Sequence, residues 1–256
     1  QRTLPREVIR AGKNVIEVIL TFKTKFGNCE GVVRLFEDQE RKGYFKAWSL
    51  LTALSDLSSF DKKNIEQYQN ILEGPNWLDK RNEDRLYKNR EPEVIVVGGG
   101  QAGLSIAARL KQHNIDTLII DKNERIGDNW RNRYHSLKLH NQTHVNHLPY
   151  MPFPSTWPTY IPKDKLAGWF EYYVESMELN AWTNTKFIGA EYDENKKHWK
   201  VKLKLSDDTI KIMKPKHIVM AVGVSSGPNR TKIPGMDHYK GKVIHSADYK
   251  NGKQYN

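Results

Sequence analysis

The first third of the chain alternates apolar and polar positions with the period of two that is typical of a half-buried β-strand. Ile16 and Val18 are apolar, and the polar residue Glu17 lies between them. Three extended runs, separated by glycine-containing turns, occupy residues 15–26, 31–38 and 44–54. We therefore predict three antiparallel strands joined by hairpins. Because such a curved sheet needs an element packed on its inner face, residues 1–58 are interpreted as part of a small α+β domain.

A strongly charged, helix-prone segment follows these strands. Its sequence DKRNEDRLYKNRE carries nine charged side chains among thirteen residues, a composition typical of a solvated helix or linker. We therefore predict a charged helical linker at residues 59–91, with a domain boundary near Glu91 and Pro92.

Beyond the linker the alternation gives way to short continuous runs of β-branched residues. Such runs are typical of strands that are buried on both faces of a parallel sheet. The run EVIVV at residues 93–97 leads into the loop GGGQAG, a helical stripe, and a second apolar run that ends at Asp121. Strand, glycine loop, helix and strand in this order predict the βαβ unit of a Rossmann-type domain.

The remainder of this domain departs from a simple dinucleotide-binding fold. A helix is predicted near residues 164–177, with Leu166 and Phe170 assigned to the core. Three later strands predict an inserted β-meander, after which the apolar run HIVMAVG returns to the main sheet. The predicted fold class is α/β, a Rossmann-type domain at residues 92–256 with an inserted β-meander, preceded by part of a small α+β antiparallel-sheet domain.

The glycines Gly98, Gly100 and Gly103 fit the spacing G-x-G-x-x-G between the first strand and the helix. The first allows a sharp turn, the second lets the backbone approach a pyrophosphate, and the third lets the helix pack closely on the sheet. Amides of the first helical turn, at Gln101 and Ala102, would face the phosphates, because the helix dipole favours negative charge there. All five are candidate cofactor-binding residues; a flexible turn without a ligand is the alternative.

Asp121 and Lys122, at the end of the second strand, are further candidate cofactor-binding residues. A carboxylate at the position of Asp121 accepts hydrogen bonds from the ribose hydroxyls of an adenosine, and its charge repels a 2′-phosphate. The site is therefore predicted to take the ADP part of FAD or NAD rather than that of NADP. A surface aspartate at the start of a turn is the alternative.

Composition and charge exclude some classes of function. The formal net charge is +11, but the lysines are scattered along predicted strands and turns, so we predict no nucleic-acid partner. The single cysteine, Cys29, cannot form a dithiol pair and suits a reducing compartment. No apolar run approaches the ~18 residues that would span a bilayer, and no leader pattern is found. We expect a cytoplasmic protein with no integral membrane segment and no metal site.

The long segment at residues 124–158 resembles that of a known family. The stretch DKNERIGDNWRNRYHSLKLH, which begins just before this segment at Asp121, and the later stretch LPYMPFP are similar to flavin-containing monooxygenases, in particular to plant auxin-forming members and their fungal relatives. In that family these motifs wrap the flavin. The resemblance implies that five residues lie near FAD: Gly127, Trp130, Leu139, His140 and Asn141. Asp128 stands where many members have glycine, and we expect a backbone adjustment there without loss of binding.

Two further patterns are similar to those of the family. Residues 221–223 resemble its alanine-threonine-glycine sequence, which adds Gly223 to the candidate cofactor-binding residues. The family signature aromatic-x-G-x-x-x-H-x-x-x-aromatic is matched by Tyr239, Gly241, His245 and Tyr249. The resemblance implies that this signature connects two nucleotide-binding halves.

The resemblance covers residues 91–256 and implies a FAD-dependent monooxygenase that uses NADPH. Through a flavin C4a-peroxide, one oxygen atom of O2 would enter a small organic substrate. Because the cofactor carries this chemistry, we assign no catalytic residue, and Asn141 is the side chain expected nearest the reactive edge. Residues 1–58 are more faintly similar to nuclear-transport-factor-like modules, which implies a role in homodimerisation.

The sequence contains no second G-x-G-x-x-G motif for NADPH. We therefore expect the chain to be a fragment that binds FAD but does not turn over NADPH, because the NADPH-binding half is absent. One alternative is another FAD- or NAD-binding oxidoreductase, although the cysteine pair of a disulfide reductase is missing. The other alternative is a non-catalytic binding module of a larger protein.

Overall fold

The computed structural model of the protein describes residues 4–57, 76–224 and 227–255. The chain divides into two compact units, Gln1–Gln69 and Asn70–Asn256. Over its described residues the first unit is an antiparallel sheet with its four strands in sequential order. The strands are β1 (Arg6–Arg10), β2 (Lys13–Thr24), β3 (Gly27–Glu37) and β4 (Phe45–Leu57).

The alternation pattern predicts three strands in this unit, and the structure adds β1 as a fourth. Three of the five residues of β1 are charged, so the strand shows little hydrophobic alternation. It pairs with β2 through a two-residue turn at Ala11 and Gly12, both at positive φ, which suits the twist of a hairpin. Cross-strand pairing therefore forms a strand that the apolar spacing does not reveal.

Glu17 departs from the alternation pattern, which assigns it to a polar position facing water. Its side chain is buried, because it lies in register between Arg6 on β1 and Arg34 on β3. Arg6 Nη2 donates to Glu17 Oε1 at 2.6 Å, and Arg34 Nε donates to Oε2 at 2.8 Å. The hydrogen bond from Arg6, followed by that from Arg34, lowers the pKa of Glu17 from 4.5 to about 2.

Glu17 should make the first unit sensitive to acid. Its pKa rises from about 2 to 4.5 on unfolding, so its stabilisation is complete above pH 4.5 and is lost as the pH falls towards 2. We expect Glu17→Gln to flatten this dependence in thermal unfolding followed by circular dichroism between pH 2 and 6. Glu7→Gln, at an exposed position of β1, should leave it unchanged. Equal acid sensitivity in Glu17→Gln and in the unaltered chain would contradict this prediction.

The second unit contains the predicted βαβ arrangement. Its elements are α1 (Trp77–Leu86), β5 (Val94–Val97), α2 (Gln101–Gln112), β6 (Thr117–Ile120), α3 (Asp128–Arg131), α4 (Lys163–Ser176), β7 (Asn180–Trp182), β8 (Lys186–Asp193), β9 (His198–Lys204), β10 (Ile210–Met213) and β11 (His217–Met220). A parallel sheet has the order β11-β5-β6-β7, and β8 to β10 form a separate antiparallel sheet. The βαβ unit, the inserted meander and the returning strand are thus confirmed.

Two apolar clusters, one on each face of the parallel sheet, form the core of this unit. Every residue of β5 and β6 is buried. Val94 and Val96 belong to the cluster that contains α2 and α4, whereas Ile95 and Val97 belong to the cluster that contains β9 and β10. Burial on both faces explains why these strands appear in the sequence as continuous apolar runs.

The helix α1 lies in the segment that the charge pattern assigns to a linker, but it packs against β7. Arg81 is only 6% exposed and donates from Nη1 to Asn180 Oδ1 at 3.0 Å. The two compact units divide between Gln69 and Asn70, ahead of this helix, and residues 59–75 of the predicted linker lie outside the described residues. Sequence alone does not distinguish a buried arginine from a solvated one, which accounts for the difference.

The described residues contain neither a membrane-spanning helix nor a cluster of metal-ligating side chains. Within these residues, no helix combines the length and the apolar character needed to cross a membrane. The same residues contain no group of three or more His, Cys, Asp or Glu side chains placed to hold a metal ion.

Candidate functional site

Glycines shape the loop between β5 and α2, at positions where a side chain would collide with backbone. Gly98 has a φ of +109°, and a Cβ there would overlap the carbonyl oxygen of Ala221, which follows β11. A Cβ on Gly103 would overlap the carbonyl oxygen of Gly98. The helix therefore approaches the loop as closely as the sequence motif requires.

The N-terminus of α2 has the features of an anion-binding site. Gly100 is its N-cap residue and makes no side-chain cap, and a Cβ on it would meet only the side chain of Asn129, at 3.2 Å. Gln101 and Ala102 begin the helix and are exposed. The first turn contains no acidic residue, so no carboxylate of that turn offsets the positive end of the helix dipole.

Asp121 fixes the backbone next to the glycine loop. Its Oδ2 accepts a hydrogen bond from the Gly99 N–H at 2.7 Å, and its Oδ1 accepts one from the Asn123 N–H at 2.8 Å. A carboxylate offers about four lone-pair sites, so these two bonds leave acceptor capacity for ribose hydroxyls. Lys122 follows and is exposed. The ribose-binding role of this site stays a prediction.

The short helix α3 carries Trp130 and begins after Gly127, which has a φ of +89°. Asp128 stabilises this start, because its Oδ2 accepts from the Arg125 N–H at 3.0 Å and its Oδ1 pairs with Arg131 Nη1 at 2.9 Å. The residue that departs from the family pattern is thus accommodated by local hydrogen bonds, and a glycine still supplies the left-handed conformation one position earlier.

Backbone contact and ion pairs hold α3 against α4. A Cβ on Gly127 would lie 2.6 Å from the carbonyl oxygen of Ala167. Glu171 of α4 accepts hydrogen bonds from Arg131 Nη2 at 2.5 Å and from Arg125 Nε at 2.8 Å. The position of α3 is therefore determined by α4 as well as by its own short turn.

A cavity of about 240 Å³ is bordered by three helices: by the first residue of α2, by α3 and by α4. This volume is slightly below the range of about 300–1,000 Å³ that is typical of ligand sites, so the cavity would hold one part of a large ligand. Five predicted cofactor-binding residues line it: Gln101, Trp130, Leu139, His140 and Asn141. The structure thus brings residues from separate segments of the chain to one cavity.

The other predicted residues lie outside the lining of this cavity. They are Gly98, Gly100, Ala102 and Gly103 in the glycine loop and first turn of α2, Asp121 and Lys122 after β6, Gly127 before α3, and Gly223 after β11. Gly223 has a φ of +76° with no atom within 4 Å of a Cβ built on it, so its turn alone explains the glycine. The glycine loop adjoins the cavity through Gln101.

Sequence reasoning missed six of the lining residues. They are Leu137, Lys138, Asn146, Leu148, Leu166 and Phe170. The predicted assignment of Leu166 and Phe170 to the core is correct but incomplete, since the same side chains also form the cavity wall. Leu137 is held in place because its carbonyl oxygen accepts from the Lys163 N–H at 3.1 Å. The run YHSLKLHN, which contains three of the predicted residues, was the available signal for Leu137 and Lys138.

The C-terminal signature lies beside the loop that follows α3. The ring of Tyr249 lies 6.4 Å from that of Tyr134, and the His135 N–H donates to the carbonyl oxygen of Lys250 at 2.8 Å. His245 accepts from a local backbone N–H through Nδ1 at 3.0 Å and does not line the cavity. The role of this signature in connecting two nucleotide-binding halves stays a prediction.

The parallel sheet, with a glycine loop at a helix N-terminus, defines the class of Rossmann-type nucleotide-binding domains. The sequence model of the family described as pyridine nucleotide-disulphide oxidoreductase matches residues 95–256. The chain therefore belongs to that family. Its single cysteine, Cys29, lies outside the matched residues.

Individual relatives include flavin monooxygenases. The probable indole-3-pyruvate monooxygenase YUCCA10 of Arabidopsis thaliana is 29% identical over 170 residues, which cover 64% of this chain and 44% of that protein. A flavin-containing monooxygenase from Stenotrophomonas maltophilia has a TM-score of 0.56 at 20% identity, covering 64% of this chain and 48% of that one. These similarities confirm the predicted resemblance to flavin monooxygenases.

The same fold occurs in a disulfide reductase. The bacillithiol disulfide reductase Bdr of Bacillus cereus has a TM-score of 0.53 at 20% identity, covering 57% of this chain and 44% of that one. At such identities the structural similarities show the fold alone. The chain also spans less than half the length of each of these relatives.

Proposed function

We propose that the second unit is the FAD-binding half of a flavin-dependent monooxygenase. The whole enzyme would use NADPH and O2 to insert one oxygen atom into a small organic substrate. The single observation that carries this proposal is the cavity at the start of α2, where Gln101 of the glycine loop lies with Trp130 and Asn141. The similarity to flavin monooxygenases from a plant and a bacterium supports it.

The residues present fit FAD in two respects. The glycine loop has no side chains that would block the approach to the N-terminus of α2, and a pyrophosphate requires this open approach. The indole N–H of Trp130, in the cavity wall, is buried and has no hydrogen-bond partner among the described residues. A buried donor of this kind is costly unless a ligand oxygen or nitrogen accepts from it.

These features assign roles to the chain's own groups. The first amides of α2 would bind the pyrophosphate, Asp121 would bind the adenosine ribose, and Trp130 would orient the ring system in the cavity. Bound FAD would supply the redox chemistry with NADPH and O2. Leu139, Leu166 and other apolar walls of the cavity would exclude water from the ring. Asn141 is the polar side chain proposed nearest the reacting edge.

The proposal extends to the NADPH site, to the first unit and to the location of the whole protein. NADPH would bind to residues outside this chain, since the sequence contains no second glycine motif and covers 44% of its plant relative. The first unit is proposed as a nuclear-transport-factor-like module that supports a homodimer. The proposed location of the whole protein is the cytoplasm.

Binding of FAD to the purified chain is the direct test. We expect the chain to quench FAD fluorescence and to bind FAD more tightly than FMN or NAD, because FMN lacks the adenosine and NAD lacks the flavin ring. Trp130→Phe should weaken FAD binding by about three- to tenfold through loss of one hydrogen bond. Trp169→Phe is the matched control, because its buried indole N–H also has no partner among the described residues but does not line the cavity.

The outcomes separate the alternatives. Folded chain that binds NAD but not FAD would replace this proposal by a different oxidoreductase. FAD binding without NADPH-dependent O2 consumption by the complete protein would favour a non-catalytic module. A disulfide reductase is disfavoured, because Cys29 is the only cysteine and is buried in the first unit.

A further inference from the structure

Lys163, the first residue of α4, occupies a position that disfavours a lysine on two grounds. Its side chain is only 7% exposed, although an ammonium group loses hydration energy on burial. It also lies in the first turn of a helix, where the dipole favours negative charge. Specific partners must therefore offset both costs.

The partners of Lys163 join three segments of the chain. Its Nζ donates to the carbonyl oxygen of Arg131, the last residue of α3, at 2.9 Å. Its backbone N–H donates to the carbonyl oxygen of Leu137, in the cavity wall, at 3.1 Å. Its charge is balanced by Asp164 Oδ1 at 2.6 Å, and that carboxylate is mostly exposed. One residue thus connects the start of α4 to both α3 and the cavity wall.

The hydrogen bond to Arg131 acts on the backbone of α3, since the Arg131 guanidinium has other partners. That side chain is held by Glu171 at 2.5 Å and by Asp128 at 2.9 Å. The ammonium of Lys163 therefore donates to the carbonyl at the C-terminal end of α3, where a positive charge is favourable. Trp130 immediately precedes this carbonyl, and its ring forms part of the cavity.

We propose that Lys163 is a positioning residue that fixes Trp130 and Leu137 as walls of the cavity and so sets the affinity for the flavin ring. This inference rests on the function proposed above. The residue acts through the backbone of α3 and of the cavity wall, and it does not line the cavity itself. Removal of its ammonium should leave α4 folded while α3 loses one of its anchors.

The test compares two lysines of one helix in the complete 256-residue chain. Lys163→Met removes the ammonium but keeps an unbranched apolar side chain in the buried site. Lys165→Met is the matched control, since the Lys165 ammonium lies 4.7 Å from the ring centre of Trp157 and forms no hydrogen bond or ion pair with α3 among the described residues. We expect Lys163→Met to weaken FAD binding about tenfold, because the partly buried carbonyl of Arg131 loses its donor. Lys165→Met should bind FAD as the unaltered chain does, and Lys163→Arg should restore part of the affinity.

Hydrogen exchange provides a readout that does not need FAD. The amides of Trp130 and Arg131 donate to the Gly127 carbonyl oxygen, so they report directly on the order of α3. In Lys163→Met these amides should exchange faster than in Lys165→Met, with unchanged exchange in β5 and β6. Unchanged exchange in α3 would overturn the positioning role, whether or not the chain binds FAD. A different result is that the unaltered chain binds no FAD while Lys163→Met still loosens α3. In that case the proposed function fails, and Lys163 anchors α3 without a role in flavin affinity. Full FAD affinity in Lys163→Met would also overturn the inference.

Discussion

Replacement of Gly103 by alanine is expected to destabilise the second unit by about 3 kcal/mol and to abolish FAD binding. The added Cβ would overlap the carbonyl oxygen of Gly98, and no side-chain rotation relieves a collision with backbone. To remove the overlap, α2 would have to move away from β5, which would displace its first amides from the proposed pyrophosphate position. Urea unfolding can be followed by tryptophan fluorescence, because every tryptophan except Trp48 lies in the second unit.

Gly168→Ala is the matched control for this substitution. Gly168 also lies inside a helix, but a Cβ built on it would meet no atom within 4 Å. Alanine is the better helix former, so this variant should gain about 0.5–1 kcal/mol. If Gly103→Ala were as stable as the unaltered chain, the close approach of α2 to the glycine loop would be disproved.

A second large effect is expected from Gly127→Ala, at the start of α3. Its φ of +89° strains a residue with a side chain, and its Cβ would lie 2.6 Å from the carbonyl oxygen of Ala167. Together the left-handed strain and the overlap should cost about 2–4 kcal/mol. FAD titration should show weaker binding as well, because α3 carries Trp130 into the cavity wall.

Gly235→Ala separates the two contributions at Gly127. Gly235 has a similar φ of +82°, but no atom lies within 4 Å of a Cβ built on it. It should therefore cost only the backbone strain, about 1 kcal/mol, and leave FAD affinity unchanged. Equal destabilisation by the two substitutions would show that the contact between α3 and Ala167 contributes nothing.

The sequence predicted the parallel sheet well because its signals are local. The continuous apolar runs of β5 and β6 result from burial on both faces, and Gly98, Gly100 and Gly103 lie within one short segment of the sequence. Of the five predicted cavity residues, Gln101 was predicted from the glycine motif. The other four, Trp130, Leu139, His140 and Asn141, came from a resemblance, since nothing in periodicity distinguishes them.

What the sequence could not predict depends on contacts between distant residues. Glu17 reads as a solvent-facing position because its burial requires Arg6 and Arg34 from neighbouring strands. Arg81 reads as part of a solvated linker because Asn180, its partner, lies 99 positions along the chain. Leu166 has the spacing of a core residue, and periodicity does not reveal that the same side chain borders a cavity.

Because of the hydrogen bonds of Asp121, the glycine loop loses its conformational entropy when the chain folds and not when a ligand binds. They join the Asp121 carboxylate to the amides of Gly99 and Asn123, so the loop acquires its shape when the chain folds. A dinucleotide would then dock into a preorganised receptor, and its binding energy would not be spent on ordering that backbone. Its association kinetics should accordingly show a single phase whose rate rises linearly with ligand concentration, without a slow rearrangement step.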